Sequence, residues 1–313
     1  GYSRGTINSG CVRNRGYELE ITATPVLTRD FRWNTTLTWS KNDNKILSLA
    51  EGADENQVIS TVGTASIIGR VGGTTGDLWG YKLVRDPEGN VIIGDNGLPE
   101  QADEIEYVGT AYADWKAGWY NEFSYKGFKL GILLDGQVGG TIYSMSFHKM
   151  MEQGKLTQSL NGRLPGTEYY MDANDPRIAA AGYTPQSGMY MIAPGVVRND
   201  DGTFSPNTKV VTIESFYKEY YRRANVETNS FDASFLKIRE IRLEYELPKK
   251  VLEKSPFSKA SIAVYGRNLW CFTDYPLFDP ESVALDGSSM VSGIETGSLP
   301  TTRTFGFNLN LTF

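Results

Sequence analysis

The sequence predicts an all-β fold, a transmembrane antiparallel β-barrel with long extracellular loops. Three observations predict it. Apolar and polar residues alternate in seven separate stretches, short and long connections alternate between them, and the alternation runs to the last residue, Phe313. Period-two alternation marks a strand with two unlike faces. Short turns at one end and long loops at the other are the habit of barrels that cross a membrane.

The first strand is expected over roughly 17–27, where Tyr17, Leu19, Ile21 and Ala23 alternate with Glu18, Glu20, Thr22 and Thr24. The turn Thr28-Arg29-Asp30 leads to a second, where Phe31, Trp33, Thr35, Leu37 and Trp39 alternate with Arg32, Asn34, Thr36 and Thr38. A hairpin turning at Lys126-Gly127 joins 116–125 to 128–140, with Trp119, Phe123 and Tyr125 facing Phe128, Leu130, Ile132 and Leu134. In 233–247 the apolar face is Ile241, Leu243, Tyr245 and Leu247, but Leu236 and Ile238 have the opposite parity. A one-residue bulge near Arg239-Glu240 would reconcile the two halves. A sixth strand is expected over 259–272, and a seventh closes the chain with Phe305, Phe307, Leu309, Leu311 and Phe313 on one face.

The connections 28–30, 126–127 and about 248–258 are short, whereas 44–115, 141–232 and 273–302 are long. The long ones explain a mean hydropathy of −0.35 in a membrane protein. The face opposite the apolar one carries Glu18, Glu20, Arg32, Asn34, Lys129, Asp135, Arg242, Glu244 and Glu246, which suits a wet lumen. A soluble or surface-attached β-sandwich with one solvated face would alternate in a similar way and stays open as the alternative, as a carbohydrate-binding or adhesin module without transport. Trp33, Trp39, Trp119 and Trp270 are expected at strand ends and in the interfacial girdle.

Composition narrows the function classes. The chain has 313 residues and a net charge of −6, which argues against nucleic acid as a partner. No apolar run approaches the ~20 residues of a membrane helix, so helices are excluded and a barrel is not. One histidine, His148, disfavours a His-based triad or metal site and reads as a loop residue. Cys11 and Cys271 fall on strands that are not sequence neighbours, so a bridge between them is not expected. The glycine-rich run 69–76 lacks the Gly-Lys-Ser/Thr ending of a phosphate loop and reads as a flexible loop. Asp86-Pro-Glu-Gly-Asn90 and Asp95-Asn-Gly97 lack calcium-loop spacing and read as turns. Asp103, Glu104 and Glu106 read as a solvated face. No catalytic residues, metal or cofactor are expected. Binding remains, and Trp79, Tyr81, Trp115, Tyr169, Tyr170 and Tyr190 are the candidate substrate-binding aromatics of the outer loops, beside Tyr112 and Tyr183.

Several motifs resemble one family, the SusC/RagA-like TonB-dependent outer-membrane transporters of Bacteroidota. Ser9-Gly-Cys-Val-Arg-Asn-Arg-Gly-Tyr-Glu-Leu-Glu20 is similar to its N-x-G-x-x-x-N-x-G-x-E-L pattern, and Thr38-Trp-Ser-Lys-Asn-Asp-Asn-Lys-Ile46 to its strand closing on Asn-Lys-Ile. Gly76-Asp-Leu-Trp-Gly-Tyr-Lys82 resembles G-x-x-[YW]-G-Y-K, and Phe231-Asp-Ala-Ser-Phe-Leu-Lys-Ile-Arg-Glu-Ile241 resembles D-A-S-F-x-K-[IL]-R-E-[IV]. Gly266-Arg-Asn-Leu269 with Asp279-Pro-Glu281, then Pro300-Thr-Thr-Arg303 and the last strand, complete the order.

The resemblance implies a multi-pass outer-membrane location and import of a large nutrient, glycan first and oligopeptide second. It implies a SusD-like surface lipoprotein as partner, the TonB-ExbB-ExbD system acting through an N-terminal part, contact with outer-membrane lipid, and a dimer of SusCD-like pairs. Residues 1–313 then correspond to the last seven or so strands of a 22-stranded plugged barrel. The opening Gly1-Tyr2-Ser3-Arg4 reads as a start in mid-protein, with the plug and N-terminal domains upstream. An aromatic last residue on such a strand resembles the barrel-assembly signal, here Phe305, Phe307, Leu309, Leu311 and Phe313.

Overall fold

In a computed structural model, residues 10–281, 284–286 and 289–313 are described. The opening Gly1 to Arg4 and Ser9 of the first motif lie outside the described residues. Seven strands form one sheet: β1 (Gly10–Leu27), β2 (Phe31–Leu49), β3 (Trp115–Tyr125), β4 (Phe128–Val138), β5 (Phe235–Glu246), β6 (Lys259–Phe272) and β7 (Thr304–Thr312). Each pairs antiparallel with the next in chain order. The short–long alternation of the connections is as expected.

Several boundaries differ from expectation. β1 and β2 extend to Gly10 and Leu49, because polar stretches such as Arg13-Asn14-Arg15 and Lys41-Asn42-Asp43 pair through their backbones and need no apolar face. β4 stops at Val138, because Gly139 and Gly140 both adopt left-handed φ angles of 78° and 93°. The Lys126-Gly127 turn has φ of 45° and 87°, the two positive values that a tight turn matching strand twist requires.

The predicted bulge is present. The register of β5 shifts between Ile238 and Glu240 against both neighbours. Leu236 and Ile238 thereby join the face of Ile241 and Leu243, opposite Gly136 and Leu134 of β4. On β6 the same site is matched by Asn268, whose φ of 51° is one that Asn tolerates better than most residues. The bulge gives Arg239 to the polar face, where it bonds Asp135.

Register sorts the two faces cleanly. One row runs Ile21, Leu37, Trp119, Leu134, Ile238 and Trp270 across six strands. Another runs Trp33, Phe123, Leu130, Leu243, Val264 and Phe307. These rows are largely uncovered: Trp270 is 57% exposed and Phe307 is 77% exposed. Two indole N–H groups on this face find partners within it, Trp33 Nε1 on Asn121 Oδ1 at 3.0 Å and Trp119 Nε1 on Thr35 Oγ1 at 2.9 Å. The two faces of a sandwich pack on each other and bury such rows. Here the apolar face has no such cover among the described residues, which is at odds with the sandwich alternative.

The buried core lies instead in the long connections, which are folded. The first holds a four-stranded sheet of 57–62, 65–69, 77–80 and 106–110. The second holds helices α1 (Met145–Glu152) and α2 (Ile213–Tyr220) with two small hairpins. The third adds Ile294–Glu295 in parallel to Thr141–Ser144 of the second. One cluster draws on all three: Ala65, Ile67 and Leu78, then Tyr143 and Val226, then Ile294. A larger one packs Phe147, Met151, Met191, Phe216 and Tyr217 around Ile93. Burying such side chains is worth about 1.5–3 kcal/mol each, so the connections form one loop body. The glycine-rich run, expected to be flexible, is bound to the end of β2: Ile46 N donates to Gly73 O at 2.8 Å and Gly72 N to Ile46 O at 2.9 Å. No helix among the described residues is long and apolar enough to cross a membrane.

Candidate functional site

The polar face and the loop body meet in a set of clefts. On the sheet, Glu18, Ser40, Lys116 and Gln137 form one cross-strand row, and Glu20, Thr38, Gly118 and Asp135 form the next. Cavities of about 400, 380 and 220 Å³ adjoin here, and Lys116 lines all three. The middle one is bounded by Ser40, Asn42, Lys116 and Gln137 of the wall and by Tyr112 and Ser292 of the loop body. Lys116 makes no ion pair among the described residues, whereas Asp135 is neutralised by Arg239 at 2.6 Å.

Two polar clamps hold the loop body over this wall. The first joins the Lys-Ile-Arg motif of β5 to Asp279-Pro-Glu281 of the third connection. Lys237 Nζ lies 2.6 Å from Asp279 Oδ1 and also meets Glu281, while Arg239 Nη2 bonds Glu281 Oε2 at 2.7 Å. The Lys237 ammonium sits 4.6 Å from the Phe235 ring centroid. Burial alone would raise the Asp279 pKa, but the hydrogen bonds from Lys237 and the Glu281 backbone hold it below the usual carboxylate value of 3.8.

The second clamp joins the first two motifs. Asn14 Oδ1 accepts from Asn42 and Asn44 at 3.2 and 3.0 Å, and Asn44 Oδ1 accepts from the Thr75 backbone at 2.9 Å. Thr75 Oγ1 in turn meets the Tyr112 hydroxyl at 2.7 Å. In the third connection, Glu295 is fully buried and accepts from the Ser144 and Ser146 hydroxyls at 2.6 and 2.8 Å, which fixes it to the N-terminus of α1.

The structure places the candidate aromatics apart rather than in one site. Trp79 packs edge-on to Tyr107 with Arg70 over its ring. Tyr81 bridges to Asn225. Tyr169 packs on the large loop core, and Tyr190 is buried against Tyr183 with its hydroxyl on Thr184 O at 2.9 Å. Tyr170 is half-buried. Trp115 opens β3 opposite Val138 and contributes to the middle cleft. Phe305, Phe307, Leu309 and Leu311 lie along β7, and the Phe313 ring packs 5.0 Å from Phe257.

His148, expected in a loop, is instead a buried residue of α1, its Nδ1 2.6 Å from Tyr221 O. The 86–90 and 95–97 segments are turns as expected, closed by Gly89 N to Asp86 O and Gly97 N to Gly94 O, each 3.0 Å. Glu106 reaches Lys82 at 3.8 Å. Cys11 lies on edge strand β1 and Cys271 on β6, with four strands between them in the sheet. Lys116 and Glu295 carried no motif signal. Lys237 and Asp279 stood inside motifs, but nothing in the sequence tied one to the other.

Comparison with known proteins agrees with this picture. No family model matches the chain. The TonB-dependent receptor P3 of Formosa agariphila is 26% identical over 334 residues, covering 98% of this chain and 29% of that protein. The TonB-dependent receptor SusC of Bacteroides thetaiotaomicron is 26% identical over 151 residues, covering 44% of this chain and 15% of its own length. Among solved structures, the RagAB peptide importer in its closed-closed state aligns with a TM-score of 0.63 at 15% identity, over 98% of this chain and 30% of that one. The chain spans about three tenths of the length of receptor P3 and of the RagAB chain that it matches. In the order of its motifs, in sequence along nearly its whole length and in fold, this chain is similar to the SusC/RagA-like TonB-dependent receptors.

Proposed function

We propose that this chain forms the closing strands and outer loops of an outer-membrane barrel that imports a large nutrient by TonB-dependent transport. The observation that carries the reading is the inverted burial: apolar side chains of the sheet are exposed while the loops hold the core. That distribution suits a wall whose outer face meets lipid and whose inner face meets water. The free edges of β1 and β7 would be satisfied by further strands of a 22-stranded barrel, since unpaired backbone groups are costly in lipid. In this reading a SusD-like surface lipoprotein covers the loop body, TonB-ExbB-ExbD supplies energy through an N-terminal part, and two such pairs form a dimer.

Glycan is the first substrate class, supported by the aromatic and amide-rich loops. Oligopeptide is the second, supported by the likeness to RagAB, which is a peptide importer. Uptake of labelled oligosaccharides and oligopeptides by cells carrying the full-length protein tests the reading. Accumulation should vanish when TonB is deleted; uptake that persists without TonB overturns it.

A further inference from the structure

We propose that the cleft centred on Lys116 binds an acidic group of the imported ligand, and that the ligand is a glycan bearing carboxylate or sulfate. This deepens the import reading and rests on it. The cleft of about 380 Å³ is bounded by Ser40, Asn42, Lys116 and Gln137 on the wall and Tyr112 above them. Lys116 is the charged member of that lining, and it has no ion partner among the described residues. The neighbouring side chains have their donors engaged. Asn42 Nδ2 bonds Asn14 at 3.2 Å, and Gln137 Nε2 bonds Gly139 O and Ala233 O at 3.2 and 3.3 Å. Their amide oxygens remain as acceptors for sugar hydroxyls. A ligand that fills the cleft strips water from the ammonium, and a neutral ligand leaves that charge uncompensated. An anionic one replaces the lost hydration with a charge-assisted hydrogen bond.

The adjoining carboxylates set the polarity of the site. Glu18 and Glu20 line the 400 Å³ cleft beside Lys116 and make no ion pair among the described residues. Asp135 there is held by Arg239, and Glu281 in the 220 Å³ cleft is held by Lys237 and Arg239. An anion is thus attracted at the Lys116 end and repelled at the Glu18 and Glu20 end, which orients the ligand.

The test uses the full-length receptor with its surface lipoprotein and a panel of uronate and sulfated oligosaccharides. The same oligosaccharides with carboxyls reduced or sulfates removed, and oligopeptides with free or amidated C-termini, complete the panel. Acidic glycans should bind, and Lys116→Gln should weaken them about ten- to a hundredfold, the range of a hydrogen bond to a charged group. The neutralised counterparts should bind less well to the wild type and lose far less in the variant. Lys116→Arg should recover most of the binding, and Glu18→Gln with Glu20→Gln should tighten it. Binding confined to neutral glycans, binding insensitive to Lys116→Gln, or selection of peptides through their C-terminal carboxylate each overturns the proposal. Import itself fails separately, by accumulation that survives loss of TonB.

Discussion

The Lys237 ammonium and the Asp279 carboxylate, 2.6 Å apart and each only 4% exposed, join the seven-stranded sheet to the last long connection. They come from two motifs separated along the chain, so their pairing gives both a physical role. Removing one partner of a buried pair leaves the other charge stranded, which costs about 3–5 kcal/mol. Lys237→Met should destabilise the folded protein by that order, seen as a lower unfolding temperature in detergent and faster proteolysis of 273–302. Lys237→Met combined with Asp279→Leu should lose less than the two single changes added together.

The same pair sets an acid limit. The folded pKa of Asp279 is depressed, so its contribution is fully present above the unfolded value near 3.8 and is lost as pH falls through the folded one. Pepsin cleavage of 273–302 should stay slow at pH 4 and accelerate only below it. Asp279→Asn should cleave readily at every pH tested.

His148 titrates in the opposite environment. Burial lowers its pKa from 6.5, against the smaller opposing effect of its bond to Tyr221 O. A depressed folded pKa means that stability is complete above 6.5 and declines as pH falls below it, because the unfolded chain takes up the proton first. Hydrogen-exchange protection factors in α1 and α2, the rates corrected for intrinsic exchange, should therefore fall between pH 6.5 and 5. His148→Leu should flatten that dependence while losing about 1 kcal/mol for the missing bond.

Asn44 is buried at 8% exposure and connects the first hairpin to the Thr75 turn. Asn44→Ala strands the Thr75 N–H and leaves Asn14 Oδ1 with its bond from Asn42 alone, at about 1–3 kcal/mol. Limited proteolysis should then cut the 70–76 run first, with the rest of the loop body intact.

Gly306 lies beneath the Tyr265 ring, and a Cβ there would come within 2.6 Å of it. Gly306→Val must displace that ring or the strand, costing about 1–3 kcal/mol. If the proposed barrel reading holds, the fraction of heat-modifiable, assembled full-length protein should fall. Phe313→Ser tests the proposed assembly signal by the same readout, and should reduce assembly without changing the unfolding temperature of molecules that do assemble.

The wall was legible from the chain because a strand declares its two faces every second residue. Even the bulge at Arg239 was readable, since a parity switch between Ile238 and Ile241 has few other causes. The loop body was not legible. Its strands are two to six residues long, and its core pairs side chains distant in sequence, such as Leu78 with Val226 and Ile294. Among the aromatics chosen from the loops, Tyr169 and Tyr190 pack within the loop body, a contact their residue type alone does not announce.

The sequence by itself determined seven antiparallel strands, their order, their apolar and polar faces and the end on which the long connections lie, because those features are local and periodic. Only the tertiary structure decided that the long connections fold into one body, that Lys237 closes on Asp279, and that Lys116 on the polar face has no counter-ion among the described residues. Those outcomes depend on which distant side chains meet, and charge pairing across such separations leaves no period in the chain to read.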